Sequence, residues 1–212
     1  MKEEWVITIG REFCSGGAEI AHKLSEHFGI PYHDKQMIDH TAAMLDLSEE
    51  TVRRHDEKPM GFWEASGYQY NNLWYSGDPS LLLPLSCRIA EAQFNMIAKM
   101  ANEGPCIFVG RCADYVLRDR KNVLNIFIYA PMDDRIARAM HLYQLDRTAA
   151  KKLIVRTDKI RRSYYNNYTH RSWGNARHYD LFLNSGKLGT QGAADLIAAF
   201  AETHSPSDTP QL

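Results

Sequence analysis

The stretch 6–29, VITIGREFCSGGAEIAHKLSEHFG, limits the possible folds more than any other part of the chain. A β-rich run enters a turn holding Gly10, Gly16 and Gly17, and a helical pattern follows with Ile20, Leu24 and Phe28 four residues apart. Apolar residues at that interval line one face of a helix. A strand that passes through a tight turn into such a helix packs the helix back on its own sheet. Runs rich in Val, Ile, Phe or Tyr predict strands at 5–9, 30–33, 106–109, 123–129 and 181–184. Helical patterns separate them: 18–28 closed by Gly29, 35–45, 49–56 with Ser48 as N-cap, 85–102 stopped by Gly104-Pro105, 132–143, a long helix capped by Asp146, and 190–201. This alternation predicts an α/β fold: a five-stranded parallel sheet with helices on both faces, in three layers. Loops that follow the strands then share one edge, where ligands bind in such sheets. GREFCSGG, HDK, GRCAD and APMDDR all follow strand runs, so four polar loops converge on one cleft.

Residues 1–203 read as one domain with two unusual regions. Residues 58–85 are rich in aromatics, Gly and Asn with little helical period. They suit a lid, a substrate flap or a dimer contact, and a homodimer through Phe62 to Leu85 is one expectation. Residues 146–178 form a basic region. Between Lys151 and Arg177 eight lysines and arginines stand against one aspartate, a net +7; the whole chain carries −1, so the remainder carries −8. An acidic body with one basic arm suits a small polyanion better than a broad nucleic-acid footprint. Residues 204–212 and the first four residues lack core-forming character and are expected to be disordered. No run of eighteen apolar residues predicts a membrane span, and MKEEWVITIG has no signal-peptide pattern. Cys14, Cys87, Cys106 and Cys112 form no CxxC pair, so a reduced, cytoplasmic protein is expected. Met37, Met44, Met96 and Met100 read as core, His22 and His27 as helix-surface residues.

The opening loop has the layout of a phosphate-binding loop. Backbone N–H groups of such a loop curl around phosphate oxygens, and the following helix adds its positive end. Its usual lysine supplies a point charge near the β- and γ-phosphates. Here Gly17 stands where that lysine is expected, and Arg11 stands where glycine is usual. A glycine-rich βα turn with no ligand is the plain alternative.

VITIGREFCSGGAEIAHKLSEHFGIPYHDKQMI, IFVGRCADYVLRD and RTDKIRRSYYNNYTHRSWGNARHYDLFLNSGKLG, taken in order, resemble the cytidylate kinase-like family of P-loop proteins. The resemblance covers nearly the whole chain. It implies a P-loop nucleoside monophosphate kinase-like fold with a helical lid, ATP and Mg²⁺ as cofactors, and transfer of the ATP γ-phosphate to a nucleoside monophosphate or related small acceptor. Bacterial cytidylate kinases carry the loop GxxGxGKGT. On that pattern Arg11 takes the first glycine, Gly16 the glycine before lysine, Gly17 the lysine and Glu19 the threonine that helps hold Mg²⁺. The resemblance therefore assigns nucleotide binding to Gly10, Arg11, Glu12, Phe13, Cys14, Ser15, Gly16, Gly17, Ala18 and Glu19. Gly110-Arg111-Cys112 matches a Gly-Arg-Asp that helps hold the monophosphate, with Asp114 two residues beyond the lost carboxylate. Asp158-Lys-Ile-Arg161 matches a D-x-x-R of the lid that contacts substrate.

Arginines replace a lysine's charge and add two-pronged geometry. Arg11, Arg156, Arg161 and Arg162 are the catalytic candidates, with Arg11 or a lid arginine replacing the loop lysine. Asp34, Arg111, Asp114, Asp158 and Arg161 are the candidates for the acceptor. On a helix Asp158 lies three and four residues from Arg161 and Arg162, which allows either a site or a plain ion pair. Asp34 orients an acceptor oxygen or simply shapes a turn. Ser15 and Glu19 are the metal-ligand candidates, without diagnostic spacing. Tyr164, Tyr165, Tyr168 and Trp173 are expected to pack rather than to stack on a base. The competing function is a nucleotide-binding regulator that has lost catalysis, for which Gly17 and Glu19 speak; a nucleic-acid binder fits the charge less well.

Overall fold

The first strand, β1, runs Val6–Arg11 and lies at the centre of a five-stranded sheet of order β2-β3-β1-β4-β5. The computed structural model describes residues 5–34, 36–57 and 83–204. The other strands are β2 Tyr32–His33, β3 Ile107–Val109, β4 Val123–Tyr129 and β5 Leu181–Asn184. All pairings are parallel, with Ile7 opposite Ile107 on one side and Leu124 on the other. The predicted alternation of strands and helices is therefore the architecture observed. β1 is longer than the sequence suggests: Gly10 and Arg11 still pair, opposite Phe127 and Ile128. Arg11 thus belongs to the rigid sheet and not to the loop.

Eight α-helices surround the sheet among the described residues: α1 Gly17–Phe28, α2 Gln36–Leu45, α3 Glu49–His55, α4 Leu85–Glu103, α5 Ala113–Val116, α6 Met132–Tyr143, α7 Arg147–Thr169 and α8 Ser185–Thr203. Both faces of a parallel sheet are buried, so its strands are apolar on both. Ile7, Ile9, Ile107 and Ile126 pack on Ile20 and Leu24 of α1 and Ile197 of α8. Val6, Phe108 and Val123 face the other way, against Met37 of α2, Met96 and Ile97 of α4 and Ala113 of α5. Helix ends follow local chemistry. α1 stops at Gly29, whose φ of 64° suits a residue without a Cβ. Ser48 and Asp146 accept hydrogen bonds from the N–H groups of Thr51 (3.2 Å) and Ala149 (2.8 Å), as caps do.

Three local readings change. The final helix begins five residues earlier than its pattern suggests, directly after β5, and Gly189 breaks its helical geometry at φ 69°. The segment after that break is the part whose period is visible. Met44 is 56 % exposed and is not a core residue, because α2 turns it to solvent. The short α5 lies inside GRCADYVL, which carries too few residues for a readable period.

The α6–α7 hairpin fixes the cleft. Ile136 and Ala139 of α6 pack on Ala150 and Ile154 of α7, with Phe13 and Cys14 of the loop against them. Further along α7, Tyr164 and Tyr165 are buried with Cys112 and Ala90, and Tyr168 and Trp173 lean on this cluster. The aromatics therefore pack α7 across the sheet edge, from the glycine loop to the loop after β3.

Candidate active site

Residues 12–16 join β1 to α1. Glu12 donates its N–H to the Ile128 carbonyl at 3.0 Å, and Ser15 donates its N–H to the Glu12 carbonyl at 3.3 Å. Cys14 and Gly16 take φ of 60° and 87°, the left-handed region, to turn the chain. The first intrahelical bond of α1 runs from Ile20 N–H to the Gly16 carbonyl. The amides of Gly17, Ala18 and Glu19 precede it and carry the helix's partial positive charge. Arg138 of α6 and Thr190 of α8 stand at this mouth. A Cβ on Gly16 would lie 2.7 Å from Thr190 Cγ2 and 3.5 Å from Arg138 Nη1. Both partners bind Glu19: the Thr190 hydroxyl at 2.5 Å, and the Arg138 guanidinium. Together they hold the Glu19 carboxyl below its ordinary value.

The absent lysine has a steric cause. A Cβ at position 17 would lie 2.7 Å from Arg11 Cβ and 3.0 Å from Arg11 Cγ. The Arg11 stem fills the space that a residue-17 side chain would need. With arginine at 11, glycine is required at 17.

The Arg11 guanidinium reaches away from the loop to the far side of the cleft. It donates to Glu57 at 2.6 and 3.3 Å and lies 4.0 Å from Asp34. Arg111 donates to both oxygens of Asp56, at 3.1 and 2.8 Å, and lies 3.6 Å from Asp34. Its backbone N–H donates to Glu57 at 3.2 Å. Arg161 of α7 donates Nε–H to Glu57 at 3.3 Å and Nη1–H to the Arg11 carbonyl at 3.4 Å. Three guanidiniums and three carboxylates are thus knitted at the ends of β1, β2 and β3. Burial alone would raise the Glu57 carboxyl, but Arg11, Arg161 and Arg111 outweigh it and hold it well below the ordinary carboxylate range. Burial, with Arg11 nearby, lowers the Arg161 guanidinium.

A seam of opposite charge joins α7 to the loop. Asp158 accepts the Phe13 N–H at 2.7 Å and Arg135 Nη1–H at 2.6 Å. Arg135 Nε lies 3.5 Å from Glu12, whose carboxylate accepts the Ala130 N–H at 3.2 Å. Burial raises the Glu12 carboxyl against the pull of Arg135. Next to this seam runs an open groove of about 860 Å³, lined by Glu12, Arg135, Lys159, Arg162, Asn166 and His170 among others.

The structure brings Arg11, Asp34, Arg111 and Arg161 into one cluster and places the loop residues beside it. Several expectations are corrected. Asp158 does not pair with Arg161 or Arg162, because its inward side chain meets Arg135 and the Phe13 amide instead. Arg11 binds Glu57 across 46 residues. Asp114 is turned away from Arg111 and accepts from the Tyr165 hydroxyl at 2.6 Å. Burial raises its carboxyl, opposed by that hydrogen bond. Arg156 and Arg162 are exposed on α7, Arg162 over the Trp173 ring at 5.7 Å. Ser15 is turned inward, its Oγ 2.9 Å from the Glu12 carbonyl and 3.0 Å from that of Ile128. Ser15 thus donates to the backbone, and the Glu19 carboxylate is shared with Arg138 and Thr190. Among the described residues no group of three or more His, Cys, Asp or Glu could hold a metal ion.

Four partners escaped the sequence: Asp56 and Glu57 on one side, Arg135 and Arg138 on the other. Arg135 and Arg138 had a readable signal. They stand three residues apart at the start of the helix after β4, on the edge where ligands bind.

A family model described as the cytidylate kinase-like family matches residues 6–187. The chain belongs to that family. Among solved structures, an uncharacterized protein from Eubacterium ventriosum is 28% identical with a TM-score of 0.69, over 95% of this chain and 100% of that one. Shikimate kinase from Bacteroides thetaiotaomicron, 9% identical, reaches 0.52 over 93% and 98%. A gluconokinase from Sinorhizobium meliloti, also 9% identical, reaches 0.50 over 96% and 97%. The last two likenesses concern the fold, which is that of the P-loop nucleoside monophosphate kinases. No protein with a curated description matches this sequence. The family and these neighbours make the chain a P-loop kinase-like protein, and no described helix is long and apolar enough to cross a membrane.

Proposed function

We propose that this cytidylate kinase-like protein moves the γ-phosphate of ATP to a nucleoside monophosphate or a related small phosphate acceptor. One observation carries the reading: the Arg11 side chain fills the space denied to residue 17 and extends its guanidinium toward the acceptor side. A cation is therefore retained on the acceptor side of the cleft, supplied from β1 instead of α1. Phosphoryl transfer needs in-line positioning and positive charge on the transferred group's oxygens. The first-turn amides of α1, which precede its first intrahelical bond, are suited to the donor phosphates, and Arg138 stands at the loop mouth. Arg111 and Arg161, with Asp34, are suited to the acceptor. An acceptor oxygen attacks the γ-phosphorus, the bond to the β–γ bridging oxygen breaks, and ADP leaves. Mg²⁺ is read as arriving with ATP on its phosphate oxygens, part of the substrate and not of the protein. The four free cysteines suit a reducing, cytoplasmic setting. The homodimer expected through Phe62 to Leu85 falls largely outside the described residues and stays an expectation.

The test is ADP release from ATP and Mg²⁺ over a panel of nucleoside monophosphates. Turnover with one acceptor is expected, and Arg11→Ala should lower kcat by about a hundredfold, the order seen for one stabilising donor. Absence of turnover with every acceptor, while ATP still raises the melting temperature, would favour the regulator. The Asp158 carboxylate on the Phe13 amide speaks for that second reading, since it occupies one loop donor.

A further inference from the structure

Four donors converge on the Glu57 carboxylate: both Nη groups of Arg11, Nε of Arg161 and the backbone N–H of Arg111. Its side chain is 14 % exposed. The position is built for a carboxylate at some cost to the backbone. Glu57 adopts φ 51°, left-handed and unfavourable for a residue with a Cβ. Gly110 leaves the room: a Cβ there would lie 2.2 Å from Glu57 Oε1 and 1.9 Å from Arg11 Nη1. A small cavity of about 20 Å³, enough for roughly one water, touches Arg11, Arg111 and Arg161 on the side of Tyr164 and Tyr179. While Glu57 stays, its carboxylate holds the donors that a phosphate group would use.

We infer that Glu57 is an internal stand-in for the phosphate of the acceptor, and that a phosphomonoester displaces it from the cage of Arg11, Arg111 and Arg161. The inference rests on the reading of this cluster as the acceptor side. Charge supports it. With Glu57 in place, three guanidiniums face Asp34, Asp56 and Glu57 and the cluster is neutral. With Glu57 withdrawn it carries one positive charge, ready for a phosphate group that bears roughly 1.5 to 2 negative charges near neutral pH. The two Arg11 Nη groups span both Glu57 oxygens, the two-pronged geometry that guanidinium offers to carboxylate and phosphate alike. Asp56 is different: it binds Arg111 and Gln93 outside the cage and stays when Glu57 leaves. Acceptor binding is thereby tied to withdrawal of the Glu57 side chain, and empty protein keeps its arginines covered.

The experiment needs no ATP, so its outcome is separate from that of the turnover assay. Thermal melting is followed for wild type, Glu57→Gln and Glu57→Ala with inorganic phosphate, cytidine monophosphate or acetate, each against chloride at equal ionic strength. Both variants should bind phosphate and the monophosphate at least tenfold more tightly than wild type, and phosphate should restore much of the stability that Glu57→Ala loses. In wild type, hydrogen exchange of the Glu57 amide should speed up when cytidine monophosphate is added. A phosphate response of the variants no larger than that of wild type overturns the inference. So does an equal response to chloride, which is screening only, or a response to acetate alone, which makes the ligand a carboxylate. Should the variants fail to fold, slower or unchanged exchange of the Glu57 amide in liganded wild type is decisive against it.

Discussion

The two sides of the cleft solve the same problem, a surplus of positive charge, by different means. On the proposed acceptor side, charge is matched by charge. Arg11, Arg111 and Arg161 meet Asp34, Asp56 and Glu57 in a partly buried knot held by side chains. On the donor side, the backbone does most of the work. Loop amides and carbonyls set the turn, and side chains hold it from outside: Asp158 on Phe13, Arg138 and Thr190 on Glu19. A side-chain knot is sensitive to any one of its members, because removing a buried charge strands its partner. A backbone loop tolerates side-chain loss but not the wrong Cβ. The difference predicts where each kind of substitution hurts.

The largest effect belongs to Arg111→Ala. It strands Asp56 and leaves Asp34 without its nearest cation, and breaking a buried pair from one side costs about 3–5 kcal/mol. Chemical denaturation should show that loss; a change within 1 kcal/mol, in the sense usual for exposed pairs, would break the comparison. Next comes the exchange between positions 11 and 17. Gly17→Lys alone forces a side chain into the Arg11 stem and should cost about 1–3 kcal/mol as overpacking. Adding Arg11→Gly removes the obstruction, so the double variant should be more stable than the two single effects summed, by about 1 kcal/mol or more. Additive effects would mean that the two side chains do not compete for space.

Acid sharpens the contrast through two carboxyls of opposite shift. Glu57 is depressed, so its stabilising contribution is complete above its ordinary value of 4.5 and is lost as pH falls further below it. Glu12 is raised by burial, so its ionised form is a burden that is relieved as pH falls toward its folded value. Denaturation midpoints over acid to neutral pH should therefore diverge. Glu57→Gln loses stability against wild type at neutral pH, and the gap closes in acid. Glu12→Gln gains slightly at neutral pH, and that gap closes earlier. Gaps of the same sign would remove the distinction between the sides. The smallest stability effect is Arg138→Ala. Its pair with Glu19 is 32 % and 42 % exposed, so stability should change by less than about 1 kcal/mol while ATP affinity falls. Unchanged affinity in an equilibrium titration takes Arg138 out of the donor site.

The same division explains what could be read from the sequence. Strands and helices were legible because apolar period and caps are local: Ser48, Asp146 and Gly29 each announce a helix end within a few residues. The loop was legible for the same reason. The ion pairs were not. Arg11 and Glu57 stand 46 residues apart and Phe13 and Asp158 145 apart, so nothing near either partner signals the other. Where local spacing did offer a partner, as for Asp158 with Arg161 and Arg162, it misled. The buried face of α7 brings Asp158 to Arg135, and a desolvated pair outweighs an exposed helical one worth a few tenths of a kcal/mol. Burial also decided Asp114, whose neighbour in sequence is Arg111 but whose partner in space is Tyr165.

The interlock between Arg11 and Gly17 has a consequence for descent. A lineage carrying this pair cannot drift back to a lysine-bearing loop by one mutation. Lysine first collides with the arginine stem; glycine first strips Glu57 of its main cation before any replacement arrives. Each single change carries a stability cost of its own, so the two positions are expected to change together.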